Sequence, residues 1–179
     1  MMRKRTPREI FESNTDRKGP EIPGRTAAVL HNIRSLHNVG SAFRTADALG
    51  ISKLILSGYT PCPPRAEISK TALGADEHVQ WLHFPSLIET LGYLNKNDYL
   101  LVGIEQTDRS CTLPEFIWPA GKKIAVFFGN EVTGLDEALL PRLHHAVEIP
   151  QFGTKHSFNI SVSFGIVFYD MLTKSIQTG

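Results

Sequence analysis

The chain has 179 residues, 41% of them hydrophobic, and a formal net charge of +1. That suits one domain with a full core, and it excludes a low-complexity or collagenous chain. No apolar run approaches the roughly 20 residues that span a bilayer, so no membrane segment is expected. The basic start Met1-Met2-Arg3-Lys4-Arg5 leads into no apolar stretch, so no signal peptide is read there.

Residues 1–25 hold seven Lys/Arg against four acids, whereas the remainder holds 12 against 14. A basic arm on a near-neutral body suits a polyanionic partner, and equally a solvated terminus. Pro7, Pro20, Pro23, Gly19 and Gly24 predict an arm with at most one short helix, around Arg8–Ser13. From 26 to 179 the pattern is that of a single α/β domain. Ala27–Leu30 reads as a buried strand. Val39, Ala42, Phe43, Ala46 and Leu49 follow at helical spacing, with Gly50 at the stop position. Leu54–Leu56 is the next strand, closed by Pro61-Cys62-Pro63-Pro64. A helix through Ile68 ends at Gly74, and Val79–Phe84 contains a short strand. Leu87, Ile88, Leu91 and Leu94 mark an amphipathic helix. Tyr99–Ile104 and Lys123–Phe128 are strands, Asp136–Leu143 a short helix, Ala146–Ile149 a strand and Phe158–Thr173 the last helix. Strands alternating with helices predict a mostly parallel sheet covered by helices on both faces. Ligand chemistry is then expected at the C-terminal ends of the strands.

Three polar stretches lie at such ends. The first runs Asn32-Ile33-Arg34-Ser35-Leu36-His37-Asn38-Val39-Gly40-Ser41-Ala42-Phe43-Arg44. The second is Gly129-Asn130-Glu131-Val132-Thr133-Gly134-Leu135. The third runs from Ile149-Pro150-Gln151-Phe152-Gly153 through Ser157-Phe158-Asn159-Ile160-Ser161. Phosphate-cradling glycine loops, a nucleophile elbow and an HExxH are all missing from the sequence. Cys62 and Cys111 stand far apart without metal-binding spacing, as free thiols of a reducing, cytoplasmic protein do, and no metal is expected.

The three stretches resemble the three motifs of the SpoU/TrmH class of SPOUT RNA methyltransferases, in the family's order, over residues 26–179. The first matches N-x-R-S-x-x-N-x-G-x-x-x-R, the second G-x-E-x-x-G-L, the third I-P…G…S-x-N-x-S. The resemblance implies an α/β sheet with a C-terminal trefoil knot, a homodimer, and transfer of a methyl group from S-adenosylmethionine to a ribose 2′-hydroxyl of tRNA or rRNA. It implies catalytic roles for Arg44, Asn38, Glu131, Ser157 and Asn159. It implies cofactor contacts from Gly129, Glu131, Ile149, Gln151, Ser157, Phe158 and Asn159, and RNA contacts from Asn32, Arg34 and Arg44. Glu105 to Thr107 are expected to border the adenine. Two alternatives remain at this point: a SPOUT-like RNA-binding protein without activity, and a small-molecule-binding α/β module.

Residue chemistry adds detail. Asn32 and Asn38 also suit turns and caps. Asn38 is expected to cap the first long helix, which puts Arg44 in that helix's early turns, against the macrodipole. Guanidinium does not readily lose a proton, so Arg44 is read as a phosphate and oxyanion partner rather than a base. Glu131 is expected to orient both the cofactor and Arg44. Ser157 or Asn159 is expected to cap the last helix. That helix is apolar on two sides: Ile160, Phe164, Val167, Phe168 and Met171 form one stripe, Val162, Ile166 and Tyr169 another. The second stripe fits either a central position in one core or a second copy of the chain.

Overall fold

The computed structural model describes residues 2–15 and 21–177. Arg17, Lys18 and the rest of 16–20 in the arm lie outside the described residues. In chain order the elements are α1 (Pro7–Thr15), α2 (Glu21–Gly24), β1 (Thr26–His31), α3 (Leu36–Leu49), β2 (Lys53–Ser57), α4 (Ala66–Ala72), α5 (Ala75–His78) and β3 (Trp81–Phe84). There follow α6 (Leu87–Lys96), β4 (Tyr99–Ile104), β5 (Cys111–Thr112), β6 (Lys123–Phe128), a 3-10 turn at Leu140–Arg142, β7 (His145–Glu148) and α7 (Ile160–Gln177).

The described strands form one seven-stranded sheet in the order β3-β2-β1-β6-β4-β7-β5. Every pairing is parallel. The central strands obey the two-residue period of a sheet. Ala28, Leu30, Val126 and Phe128 face a core shared with α3, α4 and α7. Ala27, Val29, Ala125 and Phe127 face the opposite core, with Leu94 of α6. Both sets are apolar because both faces are covered. The chain builds outward from β1 to β3, then returns to place β6 on the other side of β1. At this reversal the loops after β1, β6, β4 and β7 leave the sheet side by side, where ligands bind in open α/β sheets.

Most expected elements are present, with local differences. Residues 136–143 form turns and a single 3-10 turn, not a helix, because Pro141 has no N–H for a helical ladder. The arm carries a second helical turn, α2, whose Ile22 is buried in the core beside α7. The short α5 and the two-residue β5 are additions, too brief to leave a periodic signal. Asn38 does not cap α3. Ser35 does, its hydroxyl accepting the Asn38 amide at 3.2 Å, while Gly50 closes the helix in the left-handed conformation. Gly40 is required for packing, since a Cβ there would strike the Ile68 carbonyl of α4.

Phe164, Val167, Phe168 and Met171 of α7 are fully buried against the sheet, with Phe128 ring centroids 5.2 and 5.7 Å from those of Phe164 and Phe168. The other stripe is only partly covered among the described residues: Ile166 packs partly against the core, whereas Val162 and Tyr169 are 47% and 61% exposed, as is Ile176 beyond them at 64%. Among the described residues α7 is thus buried on its sheet-facing side and open along Val162 and Tyr169. Among the described residues, nothing lies within 4 Å of where a Cβ on Gly165 would stand.

Candidate active site

A cleft of about 720 Å³ opens at the C-terminal ends of β4, β6 and β7. That falls in the range of small-molecule sites, about 300–1,000 Å³. Gly129, Glu131, Ile149, Gln151, Ser157, Phe158 and Asn159 all line it, together with Glu105, Gln106 and Thr107.

Glu131 organises one wall. Its Oε2 accepts the Arg34 amide at 3.0 Å, and its Oε1 accepts the Ser35 amide at 3.1 Å and Asn38 Nδ2 at 3.0 Å. The carboxylate thus sits on the N-terminus of α3, where the exposed amides and the macrodipole favour a negative charge. Partial burial pushes its pKa up, but the amides of Arg34 and Ser35 and the Asn38 side chain outweigh this and hold it below the usual carboxylate value. Asn38 passes the link onward, its Oδ1 accepting Asn159 Nδ2 at 3.3 Å. Asn159 is also the cap of α7, its Oδ1 accepting the Ser161 amide at 2.9 Å. Ser157 makes no such bond and faces the cleft. One hydrogen-bonded line, Glu131–Asn38–Asn159, therefore joins stretches more than 90 residues apart in sequence.

The opposite wall is held from β4. Glu105 accepts the Leu135 amide at 2.9 Å and the Gln106 amide at 3.0 Å. Gln106 Nε2 donates to the His156 carbonyl at 3.1 Å, tying the loop after β4 to the loop before α7. Gly129 is packed so closely that a Cβ would strike the Gly134 backbone, which carries the hairpin-like bridge Asn130–Gly134.

Sequence reasoning missed Asn130. Its Nδ2 donates to the Asn32 carbonyl at 2.8 Å and to the Tyr59 hydroxyl at 2.9 Å, while its Oδ1 accepts the Val132 and Thr133 amides at 2.8 and 3.1 Å. It pins the loops after β1, β2 and β6 together. An asparagine at the end of a buried strand, with glycine four residues on, was the available signal.

Asn32 is half-buried and has a structural role in its loop, with internal partners for its side chain. Its backbone is left-handed, its Nδ2 donates to His31 at 3.1 Å and its Oδ1 accepts the Tyr59 amide at 3.3 Å. Two expectations need correction. Glu131 does not orient Arg44 in the single chain, because its oxygens are occupied by amides. Arg44 is not in the early turns of α3. It lies nine residues into a helix that begins at Leu36, about 9 Å along the axis from Asn38. It is exposed, outside the cleft lining, and bonded to nothing among the described residues. The Arg34 side chain is exposed as well.

The described residues contain no helix long and apolar enough to cross a membrane. Cys62 and Cys111 are free, half-buried thiols.

Among similar proteins, the 23S rRNA (guanosine-2′-O-)-methyltransferase RlmB of Neisseria meningitidis is 33% identical over 143 residues, 78% of this chain and 54% of that protein. The AdoMet-bound rRNA methyltransferase of Sinorhizobium meliloti superposes with a TM-score of 0.77 at 25% identity, over 86% of this chain and 57% of the other. The SpoU methyltransferase AviRb of Streptomyces viridochromogenes shares the fold, with a TM-score of 0.79 at 24% identity over 88% and 63%. The chain spans between about half and two thirds of the length of the curated relatives it matches. Residues 25–169 match the SpoU rRNA Methylase family. With that match and the shared α/β fold, the chain belongs to the SpoU rRNA Methylase family.

Proposed function

We propose that the chain is an S-adenosylmethionine-dependent RNA methyltransferase acting on a ribose 2′-hydroxyl of tRNA or rRNA. The observation that carries this is the Glu131–Asn38–Asn159 line: Glu131 and Asn159, of the second and third motifs, line the cleft, and Asn38 of the first bonds to both from behind the lining.

The cleft fits the cofactor's chemistry. It offers apolar walls from Leu135, Ile149 and Ile160 and backbone polar groups at Ile149, Gln151 and Phe158 for an adenine edge. Ser157, Asn159 and Thr107 offer hydroxyl and amide groups for a ribose and an amino acid. When bound, the cofactor supplies a sulfonium-activated methyl group. The chain's own task is alignment: an in-line displacement draws most of its rate from holding oxygen and methyl at the attack distance. Gly129 lets the end of β6 pack directly on the Gly134 backbone, which shapes that side of the cleft. Glu131 fixes the N-terminus of α3, and through Asn38 it sets the orientation of Asn159. Ser157, unpaired at the mouth, faces the incoming ribose.

Arg44 and Arg34 serve the RNA. Arg44 is exposed and unpartnered on the helix that presents Asn38, and a bidentate guanidinium suits a phosphate next to the target ribose. Bound there, it stabilises the negative charge developing on the 2′-oxygen while keeping its own proton. Replacing Arg44 by Lys removes the fork, and unchanged turnover in Arg44→Lys would reject this role.

The working unit is a homodimer through α7. The exposed stripe Val162, Tyr169 and Ile176, with open space at Gly165, matches the close approach of a second copy of the same helix. Its RNA substrate places the protein in the cytoplasm.

The test is transfer of a labelled methyl group to total RNA, followed by digestion to nucleosides. Label in 2′-O-methylnucleosides is the expected result. Cofactor binding by calorimetry without transfer to any RNA would favour the inactive RNA-binding alternative. No cofactor binding at all would favour a small-molecule module.

A further inference from the structure

Tyr59, in the loop after β2, lies outside all three motifs and outside the cleft lining. The residue is 62% exposed, yet it is fixed at both ends. Its amide donates to Asn32 Oδ1 at 3.3 Å, and its hydroxyl accepts Asn130 Nδ2 at 2.9 Å. The residues on either side are fixed too. Gly58 is left-handed, and a Cβ there would strike Asn32 Oδ1, so only glycine permits the approach. The Gly58 carbonyl accepts His83 Nε2 at 3.2 Å. Thr60 is buried, its hydroxyl accepting the Ile33 amide at 3.0 Å and donating to the Leu30 carbonyl at 2.8 Å.

A solvent-facing tyrosine is ordinary, but one held this firmly while presenting its face to solvent is not explained by core packing. Its anchor, Asn130, is chain neighbour to Glu131 and itself lines the cleft. The ring therefore borders the site on the side of the motif-one loop, away from Glu105 and the wall it holds. Arg34 on the adjoining loop and Arg65 at the far end of the Tyr59 loop are both exposed and cationic.

We propose that Tyr59 is a stacking platform for an unpaired base of the RNA substrate, next to the ribose presented to the cleft. The inference rests on the RNA reading above. A flat aromatic face on a loop that also carries an exposed guanidinium, Arg65, is the chemistry that holds a splayed-out base and its phosphate. Because the ring is already immobilised, little ordering entropy is lost on contact. Every base has a π face, so Tyr59 positions the strand and leaves base identity to other contacts.

The test uses the full chain and two fluorescein-labelled probes, a dodecamer of oligoadenylate and an abasic dodecamer of the same length, read by anisotropy. Wild type binds the oligoadenylate about tenfold or more tighter than the abasic chain. Tyr59→Phe keeps that preference within about threefold, Tyr59→Leu loses it, and calorimetric cofactor affinity is the same in all three. A purely structural tyrosine predicts instead that Phe and Leu variants fail alike and that cofactor affinity falls with them, and that result overturns the platform. If the Leu variant does not fold, Tyr59→Trp decides: its emission, after subtraction of the wild-type Trp81 and Trp118 signal, is quenched by oligoadenylate and not by the abasic chain. No quenching overturns the proposal. A wild type that labels RNA while Tyr59→Leu keeps its base preference sinks the platform alone. A wild type that neither binds nor labels RNA sinks the function reading with it.

Discussion

Replacing Glu131 by Gln tests the arrangement at its centre. The carboxylate accepts three hydrogen bonds, from the Arg34 amide, the Ser35 amide and Asn38 Nδ2. A glutamine keeps one acceptor oxygen. If that oxygen retains Ser35 and Asn38, the new NH2 group faces the Arg34 N–H, donor against donor. One charge-assisted bond is lost and two become neutral, a gross loss of about 3–5 kcal/mol. The side chain is solvent-exposed, so water recovers most of this. The expected net loss is about 1–2 kcal/mol, or about 2–8 °C in Tm for a chain of this size. The sign with pH follows from the depressed carboxyl pKa. The stabilisation is present above the ordinary carboxylate value and disappears as pH falls through the lower folded-state value. Wild type and variant should therefore converge in acid. Unfolding followed by circular dichroism in wild type, Glu131→Gln, Asn38→Ala and the double variant should give a coupling of about 0.5–1.5 kcal/mol. Methyl transfer should fall more in Glu131→Gln than stability explains, because Asn38 and through it Asn159 lose their reference point. A variant melting within about 1 °C of wild type at neutral pH, with additive double-mutant energies, would refute the argument.

Further outcomes follow from the same structure. Phe168→Ala should cost about 3–5 kcal/mol in urea unfolding, since the ring is fully buried against Phe128 and Phe164. Tyr169→Glu should leave the chain folded but monomeric in sedimentation equilibrium, and a dimer that survives would exclude the exposed α7 stripe as its interface. His31 is buried, and burial outweighs the opposing influence of Asp136 to hold its pKa below the ordinary value. Its unfolded state takes up the proton first as pH falls, so this share of stability is complete above about pH 6.5 and declines below it; comparison of wild type with His31→Gln at pH 7.5 and 5.5 should show a smaller decline in the variant. Deleting residues 2–15 should lower the salt slope of RNA binding by about 1–2 without touching cofactor affinity, because Arg3 and Arg8 are already ion-paired with Glu9 and Glu12, which leaves Lys4 and Arg5 without a carboxylate partner, Arg5 bonding only the Glu9 carbonyl. A deletion running to residue 24 would remove Ile22 from the core and confuse the result.

Much was legible from residue order alone. Strands buried on two faces show as short apolar runs, which is why Tyr99–Ile104 and Lys123–Phe128 were readable to the residue. The three polar stretches marked the site because each places a glycine and polar side chains just after a short apolar strand; a proline stop, Pro150, stands only in the third. Tertiary structure decided what no local pattern encodes. Ser35 rather than Asn38 caps α3 because Asn38 is turned towards Glu131, a partner 93 residues away. Asn32 is used internally because Tyr59, in the loop after the neighbouring strand β2, meets its side-chain oxygen. Arg44 stands clear of the cleft because helix phase and length set its place, and a motif's spacing does not. Apolar periodicity reports that a face avoids water, whether the cover is the same chain or another. Only packing could show that one stripe of α7 is buried by the sheet while Val162, Tyr169 and Ile176 remain bare. Burial patterns are local sums that a sequence carries openly; the pairing of polar groups depends on which distant loops the sheet order brings side by side.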